Sequence, residues 1–240
     1  MSYHNTVNKI FIISRKKDEA RRNFVVEQLH SVGIGLPQIE WVDAIDGYET
    51  SPDEFKKEKI DTGHNGSNGC ALSHKSVWKY IVDNNIDNAM VFEDDVVFHE
   101  YFPPLYFQYY EKTPSNYGII FMGYCSFDGE EGVNAVYEFF PLCLHAYIIK
   151  KEMCHWLLNN FGICNKNIDL YIKELYDTKI KNELLIQGKI EEATNLISYV
   201  WWNGGLISPK QKETELKVYF RGLVYQHHDF SFINHSMYNK

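Results

Sequence analysis

Short apolar runs alternate with amphipathic segments through most of this chain, and that order constrains the fold more than any other feature. Residues 9–14 form a β-branched and aromatic run that ends in charged residues, and residues 18–29 carry apolar side chains at helical spacing. Further strands are predicted at 39–42, 89–92, 117–122 and 142–149, and further helices at 70–82 and 151–161. This alternation predicts an α/β fold whose mixed, mainly parallel sheet is flanked by helices, with ligands bound at the carboxyl ends of strands.

The length of 240 residues suits one compact domain spanning 1–240. The portion from about residue 168 onward is predicted to be more helical and irregular, with one strand-like piece at 222–225. No apolar run approaches the roughly 20 residues that a membrane-spanning helix needs, so no membrane span is predicted. The net charge of −8 argues against nucleic acid as a partner, because phosphate contacts need a basic surface.

Cysteine usage and the start of the chain bear on location. The five cysteines are an odd number without the paired spacing of zinc sites, and we interpret them as reduced thiols. The first residues lack the basic and apolar regions of a secretory signal. Together these features predict a cytoplasmic protein.

The strongest local signal is a group of three acids, Glu93, Asp94 and Asp95, between two apolar runs. Side chains alternate along an extended chain, so Glu93 and Asp95 should point one way and Asp94 the other. Partly buried carboxylates repel each other unless a cation offsets them, and hard divalent ions such as Mn²⁺ or Mg²⁺ take oxygen ligands of this kind. The alternative is a solvated acidic turn at the end of a strand.

Several motifs accompany the acidic group in a fixed order. The sequence Gly-Cys-Ala-Leu-Ser-His at 69–74 and Trp78 precede it, and the others are Phe-Ile-Ile-Ser-Arg at 11–15, Arg-Arg at 21–22, Val-Asp-Ala-Ile-Asp-Gly at 42–47, His-Ala-Tyr at 145–147 and Asp169. Over about residues 8–176 this series resembles glycosyltransferase family 25. That family includes bacterial lipooligosaccharide galactosyltransferases and collagen hydroxylysine galactosyltransferases.

The resemblance implies a GT-A-like, Rossmann-type fold in which an Asp-x-Asp-like motif holds Mn²⁺ or Mg²⁺ against the diphosphate of a UDP-sugar. Carried over to this chain, Asp95 is the direct metal ligand, Glu93 faces the ribose or the metal, and Asp94 supports the sugar or its loop. The implied reaction is inverting transfer of a hexose, galactose or glucose, to a hydroxyl of a glycan or protein acceptor. A bound metal neutralises the charge that develops on the leaving diphosphate.

Four residues outside the acidic group are further candidates for binding the donor: Ser14, Arg15, Ser73 and His74. Arg15 is preferred to the two arginines of the first predicted helix, which are expected to be solvated. The alternative for Ser73 is a helix cap. The alternative for His74, which lies on an apolar helical stripe, is a hydrogen-bonded core histidine.

Inversion requires a carboxylate that takes the proton of the attacking hydroxyl. Asp169, at the start of a predicted helix, is the first candidate, ahead of Asp128 and Glu131. Its alternative role is a helix N-terminal charge. His228, in the His-His-Asp sequence at 227–229, is the candidate that completes the metal shell, with an exposed polar tail as the alternative.

One departure from the family pattern bears on function. Where the family has Gly-Glu-x-Gly-Cys, this chain has Gly-Ser-Asn-Gly-Cys at 66–70, so Ser67 or Asn68 would have to replace the acid. The departure keeps open a glycan- or nucleotide-binding module without turnover. A metal-dependent phosphoester hydrolase is the other open class, although only one tight acidic cluster supports it.

Overall fold

The computed structural model describes residues 3–124, 134–189, 191, 193–203 and 221–227. Two short 3₁₀ turns, Tyr3–Asn5 and Leu36–Gln38, and a π-helical segment, Asp177–Leu185, accompany the regular elements. These are β1 (Lys9–Ser14), α1 (Glu19–Ser31), β2 (Ile39–Asp43), α2 (Pro52–Lys57), α3 (Asn65–Asp83), β3 (Asn88–Glu93), β4 (Val96–Phe98), α4 (Phe102–Lys112), β5 (Tyr117–Phe121), β6 (Gly123–Tyr124), β7 (Asn134–Glu138), β8 (Ala146–Lys150), α5 (Lys151–Asn160), α6 (Ile168–Tyr176), β9 (Ile197–Asn203), β10 (Arg221–Gly222) and β11 (Val224–Gln226).

Seven strands form one central sheet in the order β2-β1-β3-β8-β5-β9-β7. β1 pairs in parallel with β2 and β3, and β5 pairs in parallel with β9. β8 is antiparallel to β3 and β5, and β7 is antiparallel to β9. The α/β class with a mixed, helix-flanked sheet is confirmed, but parallel pairing does not predominate. Periodicity identifies a strand without indicating its direction.

Helices cover both faces of the sheet, and β1 shows how the sequence divides them. Phe11 and Ile13 belong to a core shared with α3, α5 and α6, whereas Ile10 and Ile12 belong to a second core with α1 and α4. This is the period-two alternation of a strand buried on both faces. Trp201 of β9 is fully buried in the second core and is therefore a core residue.

α3 begins at Asn65, before the predicted start at residue 70. Two glycines near this start, Gly47 and Gly69, permit a close backbone contact. A Cβ on Gly69 would lie 2.4 Å from the carbonyl oxygen of Ile45, and one on Gly47 would lie 1.7 Å from that of Asn65. The loop after β2 therefore packs directly on the first turns of α3, where no side chain fits between the backbones.

The cysteine expectation needs correction. Cys143 is disulfide-bonded, whereas Cys70, Cys154 and Cys164 are free, so the interpretation of all cysteines as reduced thiols is wrong at Cys143. Cysteine number does not reveal which sulfurs the fold brings together. Disulfides are rare in cytosolic proteins, so the cytoplasmic location stays a prediction without that support. In the described parts of the chain, no helix combines the length and apolarity needed to cross a membrane.

Candidate metal and nucleotide site

The acidic group lies at the carboxyl end of β3. The strand ends at Glu93, and Asp94 and Asp95 form the turn into β4. β11 pairs with β4 and places Gln226 opposite Val96. The Nε2 group of Gln226 donates to Glu93 Oε2 at 3.2 Å and to Asp95 Oδ2 at 3.0 Å. The structure thus brings the two outer carboxylates to one point, as their alternation predicted.

Asp94 lines the same cavity as its two neighbours and is ion-paired with Arg21 of α1. Arg21 donates to Asp94 Oδ1 through Nε at 2.8 Å and through a terminal nitrogen, which also lies 3.4 Å from Asp95 Oδ2. The Arg21 side chain is only 12% exposed, so the expectation that it is solvated is wrong. Its long-range partner could not be inferred from local helical spacing. Asp94 is held by this ion pair, and its predicted role toward the sugar remains a prediction.

Asp95 is a buried carboxyl with one oxygen that no donor in the described residues contacts. Asp95 is 2% exposed, and its Oδ1 has no hydrogen-bond partner. Burial, followed by the charge of Glu93, raises the pKa of Asp95 to about 8. A buried oxygen without a donor, beside a second carboxylate, fits a hard divalent cation such as Mn²⁺ or Mg²⁺. Glu93 and Asp95 are the residues that would hold it.

Glu93 differs from Asp95 because it has a strong partner. Burial acts to raise its pKa, but the hydrogen bond and charge of His74, together with the charges of His145 and Arg21, outweigh burial, so the pKa of Glu93 is lowered. His74 Nε2 lies 3.0 Å from Glu93 Oε1, and His74 Nδ1 lies 3.0 Å from the Tyr147 hydroxyl. That hydroxyl also accepts from Trp78 Nε1 at 3.1 Å. His74 is therefore both a buried core histidine and a direct contact of the acidic group.

The acidic group opens into a cavity of about 200 Å³ between β1, the loop after β2 and the first turns of α3. Arg15 and His74, both predicted donor-site residues, line it. The guanidinium of Arg15 is paired with Asp18 at 2.6 Å and Asp46 at 2.9 Å. The hydrogen bond from Lys17, followed by that from a backbone N–H, lowers the pKa of Asp46 to about 2.

The two predicted serines take different positions. Ser73 lines the cavity, but its hydroxyl donates to the Gly69 carbonyl at 2.7 Å and accepts from Ile45 N at 2.8 Å. It joins α3 to the loop after β2, which is a structural bond rather than the N-terminal cap considered as its alternative. Ser14 is buried at 1% exposure and is not among the residues that line the cavity. Its backbone carbonyl accepts from Arg22.

Asp169, the predicted base, lies in the first turn of α6 but is not among the residues lining this cavity. Its Oδ2 accepts from Cys143 N at 3.0 Å and its Oδ1 accepts from Leu170 N at 2.8 Å. Cys143 has a φ of 76°, so the carboxylate stabilises an unusual backbone conformation there. The base role stays a prediction. His228, Asp128 and Glu131 lie outside the described residues.

The structure adds residues that sequence reasoning did not select. Gln226 follows two apolar residues and has no motif that could have identified it. Arg21 and Asp46 belong to motifs already noted, so proximity in the fold is the information that was missing. Tyr48, which lines the cavity and is 70% exposed, follows the Val-Asp-Ala-Ile-Asp-Gly motif directly.

Comparison with known proteins places these features in a family. Residues 7–152 match Glycosyltransferase family 25 (LPS biosynthesis protein). Procollagen galactosyltransferase 2 of Homo sapiens is 31% identical over 107 residues, which are 40% of this chain and 17% of that protein. Inactive glycosyltransferase 25 family member 3 of Mus musculus is 31% identical over 107 residues, 40% of this chain and 18% of that protein.

Similarity to these relatives thus extends over less than a fifth of their length. A solved structure described as a glycosyltransferase involved in the glycosylation of the major capsid of PBCV-1 has a TM-score of 0.33 and 11% identity, covering 80% of this chain and 81% of that one. The family match covers more than half of the chain, including β1, α3 and the acidic turn after β3. The chain therefore belongs to glycosyltransferase family 25.

Proposed function

We propose that this protein transfers a hexose, galactose or glucose, from a UDP-sugar to a hydroxyl of a glycan or protein acceptor, with inversion and with Mn²⁺ or Mg²⁺ held by Glu93 and Asp95. One observation carries the proposal. Asp95 is buried with an unpartnered oxygen next to a second carboxylate, at the carboxyl end of a central strand. In α/β sheets that is where ligands bind.

The charges around the cavity support a metal requirement. Its lining includes five carboxylates and two guanidinium groups, and both guanidinium groups are already paired with acids. A diphosphate carries negative charge and would be repelled by this surface on its own. A divalent cation that binds with the diphosphate removes the conflict. When bound, the metal also neutralises the charge of the leaving nucleoside diphosphate.

The chain's own residues position the acidic group and form the walls of the cavity. Arg21 fixes the acidic turn through Asp94, and His74 fixes Glu93. The loop after β2 forms a wall of the cavity, and the exposed ring of Tyr48 offers a flat surface to a base or sugar. Asp169 stays our candidate base. To act as the base, its carboxylate must give up the hydrogen bonds that it now accepts from two backbone N–H groups.

The proposal is tested by incubating the protein with Mn²⁺ and a panel of sugar nucleotides, and by measuring free nucleoside diphosphate and glycosylated acceptor. We expect release from UDP-galactose or UDP-glucose, loss of release on chelation, and loss in Asp95→Asn. Asp53→Asn is the matched control, because that carboxylate is 95% exposed on α2. Release by Asp95→Asn at the parental rate, or release that survives chelation, would contradict the proposed site.

A second candidate function is nucleotide or glycan binding without turnover. The acid of the Gly-Glu-x-Gly-Cys pattern is missing. The side chain of Asn68, one of its two possible replacements, is already engaged in hydrogen bonds. Its Oδ1 accepts from the backbone N and the hydroxyl of Thr62, at 2.8 and 2.7 Å. A mouse relative is itself named inactive. The binding function predicts that UDP with Mn²⁺ raises the melting temperature while no sugar nucleotide is consumed with any acceptor tested.

A further inference from the structure

A second group of potential metal ligands lies beside the acidic turn. Sγ of Cys70, a ring nitrogen of His74 and a carboxylate oxygen of Glu93 all lie within 4.8 Å of one another. Cys70 and His74 are one turn apart on α3, and Glu93 ends the neighbouring strand. All three line the cavity, so a fourth coordination position would be open to solvent or to a ligand.

The chemistry of this group differs from that of Glu93 and Asp95. Two carboxylates provide hard oxygen ligands, which suit Mn²⁺ and Mg²⁺. A thiolate, an imidazole and a carboxylate form the mixed set that Zn²⁺ takes, with three protein ligands and one open position. Zn²⁺ binds sulfur at about 2.3 Å and nitrogen at about 2.0 Å, which puts neighbouring ligand atoms roughly 3.3–3.8 Å apart. Because the three ligand atoms already lie within 4.8 Å of one another, each separation needs to change by at most about an ångström.

The surroundings of His74 strengthen the assignment. Metal-binding histidines are usually oriented by a hydrogen bond at the other ring nitrogen. Here Nδ1 of His74 faces the Tyr147 hydroxyl, and the Trp78 N–H, which can only donate, fixes that hydroxyl from a buried position. The remaining nitrogen, Nε2, is aimed at Glu93.

We propose that Cys70, His74 and Glu93 form a binding site for a thiophilic divalent cation, with Zn²⁺ as the expected ion, and that Zn²⁺ competes with the Mn²⁺ or Mg²⁺ of the neighbouring site because both need Glu93. The competition rests on the proposed function, whereas the thiolate site itself does not. On binding, the Cys70 thiol gives its proton to solvent. His74 binds through Nε2 and carries its proton on Nδ1, where it donates to Tyr147.

The test uses Co²⁺ as a spectroscopic substitute for Zn²⁺. A thiolate bound to Co²⁺ gives an intense charge-transfer band in the near ultraviolet, which oxygen and nitrogen ligands alone do not give. We expect one equivalent of Co²⁺ to produce the band in the parent protein and Zn²⁺ to remove it. Cys70→Ala should lose the band and bind Zn²⁺ at least about tenfold more weakly. Cys154→Ala, which changes a free cysteine buried in the core, should keep both.

Mn²⁺ binding, followed by electron paramagnetic resonance, separates this inference from the proposed function. Asp95→Asn should lose Mn²⁺ and keep the cobalt band, and Zn²⁺ should displace Mn²⁺ from the parent but not from Cys70→Ala. Absence of the band in the parent, or its survival in Cys70→Ala, overturns the site whatever the enzyme assay gives. If Zn²⁺ and Mn²⁺ bind together, the sharing of Glu93 is wrong. If the band is present but no sugar nucleotide is consumed, the site stands and the proposed transferase function fails.

Discussion

The neighbouring acids Asp94 and Asp95 should respond to neutralisation in opposite directions. Asp95 is buried beside Glu93 with an unpartnered oxygen, whereas Asp94 is ion-paired with Arg21. Asp95→Asn keeps the side chain's shape and removes a buried carboxyl whose charged form Arg21 and Gln226 offset only in part in the metal-free protein. Metal-free Asp95→Asn should therefore be more stable than the parent, although it loses the metal ligand. Asp94→Asn leaves the Arg21 cation poorly paired and should be less stable.

The magnitude follows from the shift at Asp95. Its pKa moves from 3.8 to about 8 on folding. Each pKa unit is worth about 1.4 kcal/mol, so at pH 7 the fold pays at most about 4 kcal/mol to keep this carboxyl protonated. Asparagine also loses part of the bond to Gln226, and we expect a net gain of about 1–3 kcal/mol, or roughly 3–10 °C in melting temperature. For Asp94→Asn we expect a loss of about 2–4 kcal/mol.

The pH dependence has a defined sign. The unfolded chain releases the Asp95 proton near pH 3.8, whereas the folded chain holds it to about 8. The Asp95 carboxyl therefore makes its full contribution to stability only below the unfolded-state pKa of 3.8. That contribution is lost as the pH rises from there to the folded-state pKa of about 8. The stability advantage of Asp95→Asn over the parent should therefore grow from about pH 5 to about pH 7.5, a range that lies inside this interval.

Thermal unfolding in the presence of a chelator, repeated with saturating Mn²⁺, measures both effects. At a concentration one hundred times the dissociation constant, Mn²⁺ should stabilise the parent by about 2.7 kcal/mol and Asp95→Asn by little. A metal-free Asp95→Asn less stable than the parent would refute the account of a buried carboxyl that its neighbours compensate only in part. An undiminished Mn²⁺ effect in that variant would remove Asp95 from the metal site.

Three further variants test other contacts of the site. Asp169→Asn should lower transfer about 10²- to 10⁴-fold with unchanged melting temperature and UDP binding if Asp169 is the base, whereas a lower melting temperature with little loss of rate assigns it to the Cys143 turn. Gln226→Glu places a third carboxylate against the acidic pair, so calorimetry should show tighter Mn²⁺ binding and unfolding should show a less stable metal-free protein. Gly47→Ala puts a Cβ against the Asn65 carbonyl, which should cost about 1–3 kcal/mol and weaken UDP binding with Mn²⁺; parental affinity would show that this loop does not shape the site.

The strands were predictable because their physics is local. β1 was predicted over residues 9–14, as observed, since an apolar run bounded by charges can be buried in few other ways. The alternation that brings Glu93 and Asp95 together is equally local, because it follows from the geometry of an extended chain.

Strand direction, long-range partners and the start of α3 were decided only by the tertiary structure. The pairing of Arg21 with Asp94 joins residues 73 positions apart, and Gln226 reaches Glu93 across 133 positions, distances over which helical or strand periodicity carries no information. The helix was predicted to begin only at residue 70, because composition cannot distinguish a flexible glycine from one that permits a close backbone contact, as Gly47 and Gly69 do. The sequence by itself determined which groups could bind a metal, and the packing of distant segments decided which oxygen of Asp95 was left without a partner.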